Sequence, residues 1–189
     1  MNKWKVAFFS LVGVLLLAVI AVVFLATAPV EQRTIEQLEN NVEGNVVTVQ
    51  TTAKEFEAIA KQYLAEAVEN SPVPLDLQVD DNMYLNSILT VFNIEIPIRM
   101  AFDPIVLDGN IVLKQTSVNV GKLNIPPQTV LKLLNDSIDF PSWVIVQPND
   151  AEIYVDLSRI NIASGSRVRA KEIDLPNDKI VLELVIPTN

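Results

Sequence analysis

Chemistry in this sequence has to come from carboxylates, amines and hydroxyls, because the chain contains neither histidine nor cysteine. Their absence excludes Ser–His–Asp and Cys–His catalysis, disulfide bonds, and zinc sites built from imidazole or thiolate. The five glycines form no phosphate-binding loop. The run "ASGSR" at 163–167 is not a nucleophile elbow, because that motif needs glycine on both sides of its serine.

Two acid–base patterns remain. Asp80 and Asp81 are adjacent, so they could bind calcium or form a glycosidase pair, but they lack the spacing of a calcium loop and fit a solvated turn. Ser117 lies near Lys114 and Lys122, the residue types of Ser–Lys catalysis, which requires a buried lysine beside the serine. We expect no catalytic residue, metal site or cofactor, and therefore a non-enzymatic protein.

A basic row is the first candidate binding feature. Arg167, Arg169 and Lys171 alternate along a predicted strand and would share one of its faces. One interpretation is a solvent face that pairs with neighbouring acids. The other is a docking patch for phosphate or carboxylate headgroups or for a protein partner.

Apolar rows on predicted helices and strands are the second candidate feature. They either form a plain core between helices and sheet or line a groove or tunnel for acyl chains. At about 0.8 kcal/mol per buried methylene, one long acyl chain would contribute roughly 10 kcal/mol before the costs of binding. The candidate lining residues are Phe56, Ile59, Tyr63, Ile94, Ile96, Ile98, Met100, Phe102, Leu133, Leu134, Ile180, Leu182 and Leu184.

The N-terminal part predicts a membrane anchor. The segment Val6–Ala28 has 23 residues and no charge, so as a helix it would span about 34 Å, against about 30 Å of bilayer hydrocarbon. It is longer than a signal-peptide core of about 7–15 residues. Ala26–Ala28 has the small-x-small pattern of a cleavage site, but Pro29 directly follows it and disfavours cleavage. We therefore expect a retained anchor rather than a cleaved leader or a buried soluble helix.

Charge predicts the orientation of that anchor. Lys3 and Lys5 precede the span and Glu31 follows it, which places the N-terminus in the cytoplasm and the rest outside the cell membrane. Two of the 14 basic residues precede the span, so the exported part has 12 against 23 acidic residues, a net charge of −11. This acidity argues against nucleic acid and anionic lipid surfaces as main partners.

Sequence patterns predict an α+β domain, with a curved antiparallel sheet packed on two helices after the transmembrane helix. The predicted organisation is a cytoplasmic tip (1–5), a transmembrane anchor (6–28), a stalk or linker (29–45) and an extracytoplasmic domain (46–189). The first domain helix covers Thr52–Glu69 and begins with a Thr52/Glu55 capping box. A second helix begins at Pro127, with Val130, Leu131, Leu133, Leu134 and Ile138 on its apolar side.

Strands are predicted wherever the apolar period changes to two. The clearest is Ile94–Phe102, and Pro97 in its middle predicts an edge strand or a bulge at that position. Asp108–Asn110 predicts a tight turn, and "PND" at 148–150 and 176–178 predicts two hairpin turns. A final strand covers Lys179–Ile186.

Several segments together resemble the YpmS-like family of uncharacterised single-span membrane proteins of Gram-positive bacteria. They are "MNKWK", "GKLNIPPQTVLKLL", "FPSWVIVQP", "YVDLS" and "VRAKEIDLPNDKIVLEL". The resemblance implies a membrane protein with an extracytoplasmic domain, often encoded near a GDSL-type hydrolase, and it transfers no catalytic residue. At the level of fold, "GKLNIPPQTVLKLL" is also similar to the helix-entering segment of tubular lipid-binding (BPI-like) domains, which implies a bent sheet around an apolar tunnel.

These features support two functional hypotheses. In the first, an anchored extracytoplasmic domain binds or transfers a lipid or a lipid-linked envelope precursor. In the second, the domain is a protein-interaction module that tethers or regulates a cell-envelope enzyme, such as a GDSL-type hydrolase, through a sheet edge or the basic row.

Overall fold

The structure, a computed structural model, describes residues 3–27, 44–69, 71, 73–91, 93–121, 123, 125–160, 162 and 165–187. The chain divides into two units, Met1–Glu31 and Gln32–Asn189. Most of the predicted linker, residues 29–43, lies outside the described residues.

The first unit contains helix α1, Lys3–Thr27. Its side chains are described for residues 8–21, and all of these except Gly13 are exposed. Phe8 and Phe9 contact each other edge to face, with 5.8 Å between ring centroids. Within the part of the chain that the structure describes, no helix meets the length and apolarity required of a membrane span. The anchor and its orientation stay predictions.

The second unit is α+β with antiparallel sheets, as predicted. In chain order its elements are β1 (Gly44–Thr51), α2 (Ala53–Ala67), β2 (Leu75–Val79), β3 (Met83–Val91), β4 (Ile94–Leu107), β5 (Asn110–Val120), α3 (Pro127–Ser137), β6 (Val144–Gln147), β7 (Glu152–Val155), β8 (Arg167–Asp174) and β9 (Lys179–Pro187). Two 3₁₀ turns, Pro148–Asp150 and Leu157–Arg159, flank β7.

The described strands form two sheets, so the prediction of a single sheet is wrong. Six strands are ordered β2-β3-β4-β5-β7-β6, and three are ordered β1-β9-β8. The division arises because β1 pairs with β9, from Gly44 opposite Pro187 to Thr51 opposite Ile180. No local sequence pattern predicts a pairing between two strands that are so far apart in the chain.

Local turn and cap chemistry explains where the elements begin and end. The hydroxyl of Thr52 accepts from the Glu55 amide and the Glu55 carboxylate accepts from the Thr52 amide, which confirms the capping box. Asp108 and Gly109 both have positive φ, as a two-residue hairpin turn requires. The two "PND" segments connect the antiparallel pairs β6–β7 and β8–β9, as predicted.

Pro97 does not mark an edge strand or a bulge, which corrects the prediction. It lies in β4, between β3 and β5, opposite Ile88. Its carbonyl accepts from the Gly121 amide at 3.0 Å, just beyond the last β4–β5 pair, Ile98–Val120. Pro97 therefore lies just past the last β4–β5 residue pair, where its missing amide donor breaks no pairing between these two strands.

One face of the six-stranded sheet, called here the inner face, carries the main core. Helices α2 and α3 and strands β8 and β9 contribute apolar side chains to the same cluster. The most deeply buried large side chains of that cluster are Phe102, Met100, Leu131, Ile180 and Val130. Val112, Ile145 and Tyr154 form a small separate cluster, and β-strand alternation places them on the opposite face.

Candidate functional site

Strand β4 carries an apolar row that leads from solvent into the core. Ile94, Ile96, Ile98, Met100 and Phe102 alternate along the strand and share the inner face. Ile94 is 64% exposed, Ile98 is 6% exposed, and Met100 and Phe102 are fully buried. The row therefore has one open end, at Ile94 and Ile96, and one closed end inside the main core.

The chain that follows β5 runs beside this open end. Gly121 has a positive φ of 55°, and a Cβ at that position would lie 3.5 Å from Cγ2 of Ile96. Two residues further on, Leu123 pairs with Val120 in an isolated bridge and is itself exposed. The open end thus combines exposed apolar side chains with a backbone that only glycine adopts readily.

The apolar side chains of helix α2 lie along two lines of its surface, and only one of these lines faces the core. Phe56, Leu64 and Val68 are half-buried and pack against the core, whereas Ile59 and Tyr63 are exposed. At about 100° per residue, Ile59 and Tyr63 lie on a neighbouring line of the helix surface. The structure therefore does not bring these two candidates to the inner face.

Polar contacts hold α2 against β2. The Val79 amide donates to Oε2 of Glu57 at 2.7 Å. Lys61 lies 2.9 Å from Glu57 and 3.2 Å from Asp76. The Val79 hydrogen bond, followed by that of Lys61, lowers the pKa of the Glu57 carboxyl because both stabilise its charged form. Neither Glu57 nor Lys61 is among the candidate site residues predicted from the sequence.

The remaining candidate lining residues occupy α3 and β9. Leu134 and Ile180 are buried in the core, Leu182 and Leu184 are half-buried, and Leu133 is exposed. Leu133 follows Lys132 on the outer side of the helix, next to the buried pair Val130 and Leu131. The structure brings Leu134, Ile180 and Leu182 together with the β4 row in one cluster.

Gln115 is a polar residue on the inner face that sequence reasoning missed. It lies opposite Phe102, and the register shift beside it makes Thr116 an extra residue in β5. The side-chain amide nitrogen and oxygen of Gln115 are both buried and have no hydrogen-bond partner among the described residues. The available signal was a glutamine that interrupts apolar alternation in a strand. The Gln115 side chain therefore places a hydrogen-bond donor and a hydrogen-bond acceptor beside the core, both without a partner among the described residues.

The basic row on β8 is partly compensated by an acid on β9. Arg169 lies 3.2 Å and Lys171 lies 2.9 Å from the carboxylate of Glu183. Hydrogen bonding by Lys171 is the main cause that lowers the pKa of Glu183. The pairing agrees with the interpretation of a strand face matched to neighbouring acids. A docking role for Arg167, Arg169 and Lys171 stays a prediction.

A β-bulge modifies the predicted alternation of this row. Ala170 pairs with Leu182 and Glu172 pairs with Val181, so Lys171 is the extra residue. The stem of Arg169 lies over Gly109, where an added Cβ would be 3.3 Å from three carbons of that stem. The half-buried Arg167 lies opposite Val185.

The candidate acid–base residues lie at the surface. Asp80 accepts from Gln78 at 3.1 Å and Asp81 accepts from Tyr84 at 2.9 Å, both in the exposed β2–β3 turn. Ser117 is exposed, Lys114 pairs with Glu152 at 3.5 Å, and Lys122 lies outside the described residues. Among the residues that the structure describes, no group of three or more acids could hold a metal ion.

Comparison with known proteins identifies relatives along nearly the whole chain. Residues 2–186 match the family model DUF2140, described as an uncharacterized protein conserved in bacteria. The chain is 31% identical over 181 residues to the "Uncharacterized protein YpmS" of Bacillus subtilis (strain 168), and the match covers 95% of each chain. No solved structure matches the chain.

Proposed function

The chain belongs to the DUF2140 family of uncharacterized bacterial proteins, and from this premise we propose that it binds or transfers a lipid or a lipid-linked envelope precursor. In this proposal a single N-terminal span anchors the domain to the cell membrane. The domain lies outside the cytoplasm and acts without catalysing a reaction.

The anchor is supported by the helix and by the sequence around it. α1 is 25 residues long, and the described side chains from Phe8 to Ala21 include no charged group. Val6–Ala28 continues this uncharged run in both directions. As a helix, this 23-residue run would span about 34 Å, against roughly 30 Å of bilayer hydrocarbon. The lysines that precede it and the acidic chain that follows support a cytoplasmic N-terminus.

The apolar row of β4 carries the lipid-binding proposal. The inner row of β4 stays apolar up to its open end, where Ile94 and Ile96 continue it and Ile94 is 64% exposed. An acyl chain laid along this row would contact one side chain every second residue, or about 6.6 Å. Each methylene removed from water would contribute about 0.8 kcal/mol.

Lipid retention in two matched variants tests this function. In Ile94→Asp, a carboxylate replaces an apolar side chain at the open end of the inner face. Ile88→Asp is the control, because Ile88 is also exposed and lies on the opposite face of the same sheet, paired with Pro97. Native mass spectrometry of the full-length chain, purified in mild detergent, measures how many lipid molecules stay bound.

We expect wild type and Ile88→Asp to retain the same lipid and Ile94→Asp to lose most of it. Lipids that merely surround α1 would remain in all three proteins alike, so the comparison cancels them. Equal retention by the two variants, or the absence of a retained lipid in wild type, would refute the proposal.

A second candidate function is a protein-interaction module that tethers or regulates an envelope enzyme. The exposed, uncharged strand β1 at the edge of its sheet favours it, because such edges pair readily with another strand. Crosslinking in cells separates the two functions. One dominant adduct with an envelope enzyme would support the module, and a lipid adduct alone would support lipid binding.

A further inference from the structure

Strand β1 is an edge strand, and within the described part of the chain it has none of the usual protection against pairing. It is the outermost strand of the three-stranded sheet, and it pairs with β9 over eight residues without a register shift. It contains no proline and no charge. Val46, Val47 and Val49 are 48%, 46% and 46% exposed. Such a strand presents a straight row of backbone donors and acceptors beside apolar side chains.

The other three edges of the two described sheets are protected. β8 carries Arg167, Arg169 and Lys171 and is bent by the bulge at Lys171. At the β2 edge, α2 contacts the strand and Glu57 binds the Val79 amide. β6 has only four residues. Short edges, charges, bulges and covering helices are the devices that prevent association between sheets, and the described residues provide none of them at β1.

We infer that β1 pairs antiparallel with β1 of a second copy of this chain, about a two-fold axis through Thr48. In an antiparallel ladder, two opposite residues direct their backbone N–H and C=O groups either both toward each other or both away from each other. A strand that pairs symmetrically with itself therefore has its two-fold axis at a residue and not between two residues. An axis at Thr48 puts Val47 opposite Val49 of the partner subunit, twice by symmetry. An axis at Val47 would instead place Asn45 opposite Val49 of the partner subunit.

Side-chain chemistry agrees with the Thr48 register on both faces. Val47 and Val49 pair with Leu184 and Leu182 of β9 and so share the apolar face of the sheet. Joining two copies would extend that apolar face across six strands. On the other face, two threonines meet at the axis, a pair that stabilises antiparallel sheets through hydroxyl hydrogen bonds.

Charge restricts where two copies can meet. The chain beyond Ala28 has a net charge of −11, so most surfaces of two copies repel each other. β1 is an uncharged strip of eight residues, and contact there brings no like charges into direct opposition. Salt should therefore strengthen the dimer, because screening weakens the long-range repulsion while it leaves backbone hydrogen bonds unaffected.

Single cysteines test both the partner and the register, since the chain has no native cysteine. Directly opposite residues in an antiparallel ladder have Cα atoms about 4.5–5.5 Å apart, within the range for a disulfide. Thr48→Cys is the symmetric variant, and Val47→Cys and Val49→Cys form the offset pair. Ser117→Cys is the control, at an exposed position of the six-stranded sheet.

The full-length chain, purified in mild detergent and oxidised, should give a covalent dimer with Thr48→Cys. Val47→Cys mixed with Val49→Cys should crosslink at least fivefold more than either variant alone. Val49→Lys should abolish the dimer in light scattering and leave the melting temperature of the monomer unchanged.

Three results would overturn the inference: no crosslinking of Thr48→Cys above Ser117→Cys, equal crosslinking of Val47→Cys alone and in the mixture, or a monomeric protein at high salt. None of these outcomes depends on lipid retention, so the proposed lipid-binding function is tested separately.

Discussion

The backbone amide of Ala53 donates a hydrogen bond of 2.7 Å to the carboxylate of Asp178, although 125 residues separate them. Ala53 is the first residue of α2, and Asp178 lies in the β8–β9 turn with a positive φ of 49°. The negative charge therefore faces the positive end of the helix dipole. This contact joins α2 to the three-stranded sheet at the point where the chain leaves β1.

Replacing Asp178 should destabilise the domain through this contact. We expect Asp178→Ala to lower the free energy of unfolding by about 1–2 kcal/mol, because it removes an acceptor for a helix amide. Asp178→Asn should cost less than Asp178→Ala, since asparagine tolerates a positive φ and retains an oxygen acceptor. Urea denaturation of the full-length variants measures both values. Equal losses for the two variants would show that charge, rather than the acceptor or the backbone conformation, is decisive.

Acid should release α2 from β2 through Glu57. The pKa of Glu57 is lowered in the folded protein, so its contribution to stability is present above its unfolded pKa of about 4.3 and is lost as the pH falls through the folded value. Glu57→Gln should therefore lower stability at pH 7 by about 1 kcal/mol and flatten the acid limb of the stability profile. Glu66→Gln, at an exposed position of the same helix, is the control. If the stability of Glu57→Gln changed with pH in parallel with that of wild type, the loss of stability in acid would not come from Glu57.

Removing Glu183 should expose the basic row. Its carboxylate contacts both Arg169 and Lys171, so Glu183→Gln removes a negative charge that two cations on one strand share. If the row docks anionic headgroups, this variant should bind glycerol 1-phosphate about fivefold more tightly, an effect of about 1 kcal/mol. The triple variant Arg167→Gln, Arg169→Gln, Lys171→Gln should lose that binding. Calorimetry of the full chain in uncharged detergent measures both, and unchanged affinity in Glu183→Gln would leave the row a purely structural feature.

Gln115 should be replaceable by an apolar residue with a gain in stability. Its buried amide has no partner among the described residues, and an unsatisfied buried polar group costs about 1–3 kcal/mol. Gln115→Met keeps a similar volume and should raise the free energy of unfolding by about 1 kcal/mol in lipid-free protein. Gln128→Met, at an exposed position on α3, should change it little. A loss of stability in Gln115→Met would show instead that a bound polar group satisfies the amide.

Much of the local structure could be predicted from the sequence because its contacts are short-range. The capping box joins Thr52 and Glu55 within one helical turn, and the Asp108–Gly109 turn joins adjacent strands through two residues that accept positive φ. Strand alternation likewise predicted the shared face of Ile94 through Phe102. Each of these features depends on backbone geometry within a few residues.

The division of the candidate site into buried and exposed residues was not predictable in the same way. Ile59 and Phe56 are both apolar on one helix, yet Ile59 is exposed and Phe56 packs against the core. The difference follows from the rotation of α2 about its axis, and α2 also forms hydrogen bonds with Val79 and Asp178 outside the helix. Both partners are distant in sequence, so no helical periodicity within α2 contains this information.

The sequence by itself determined the element types, the antiparallel α+β class, the acidic charge, the family and the exclusion of chemistry that needs histidine or cysteine. Only the tertiary structure decided that the strands form two sheets, that Arg169 and Lys171 share Glu183, and that Gln115 lies unsatisfied beside Phe102. The physical reason is the distance along the chain over which each interaction acts. Backbone propensities and turn chemistry act between near neighbours, whereas strand partners and buried faces are selected by the free energy of packing the whole chain at once.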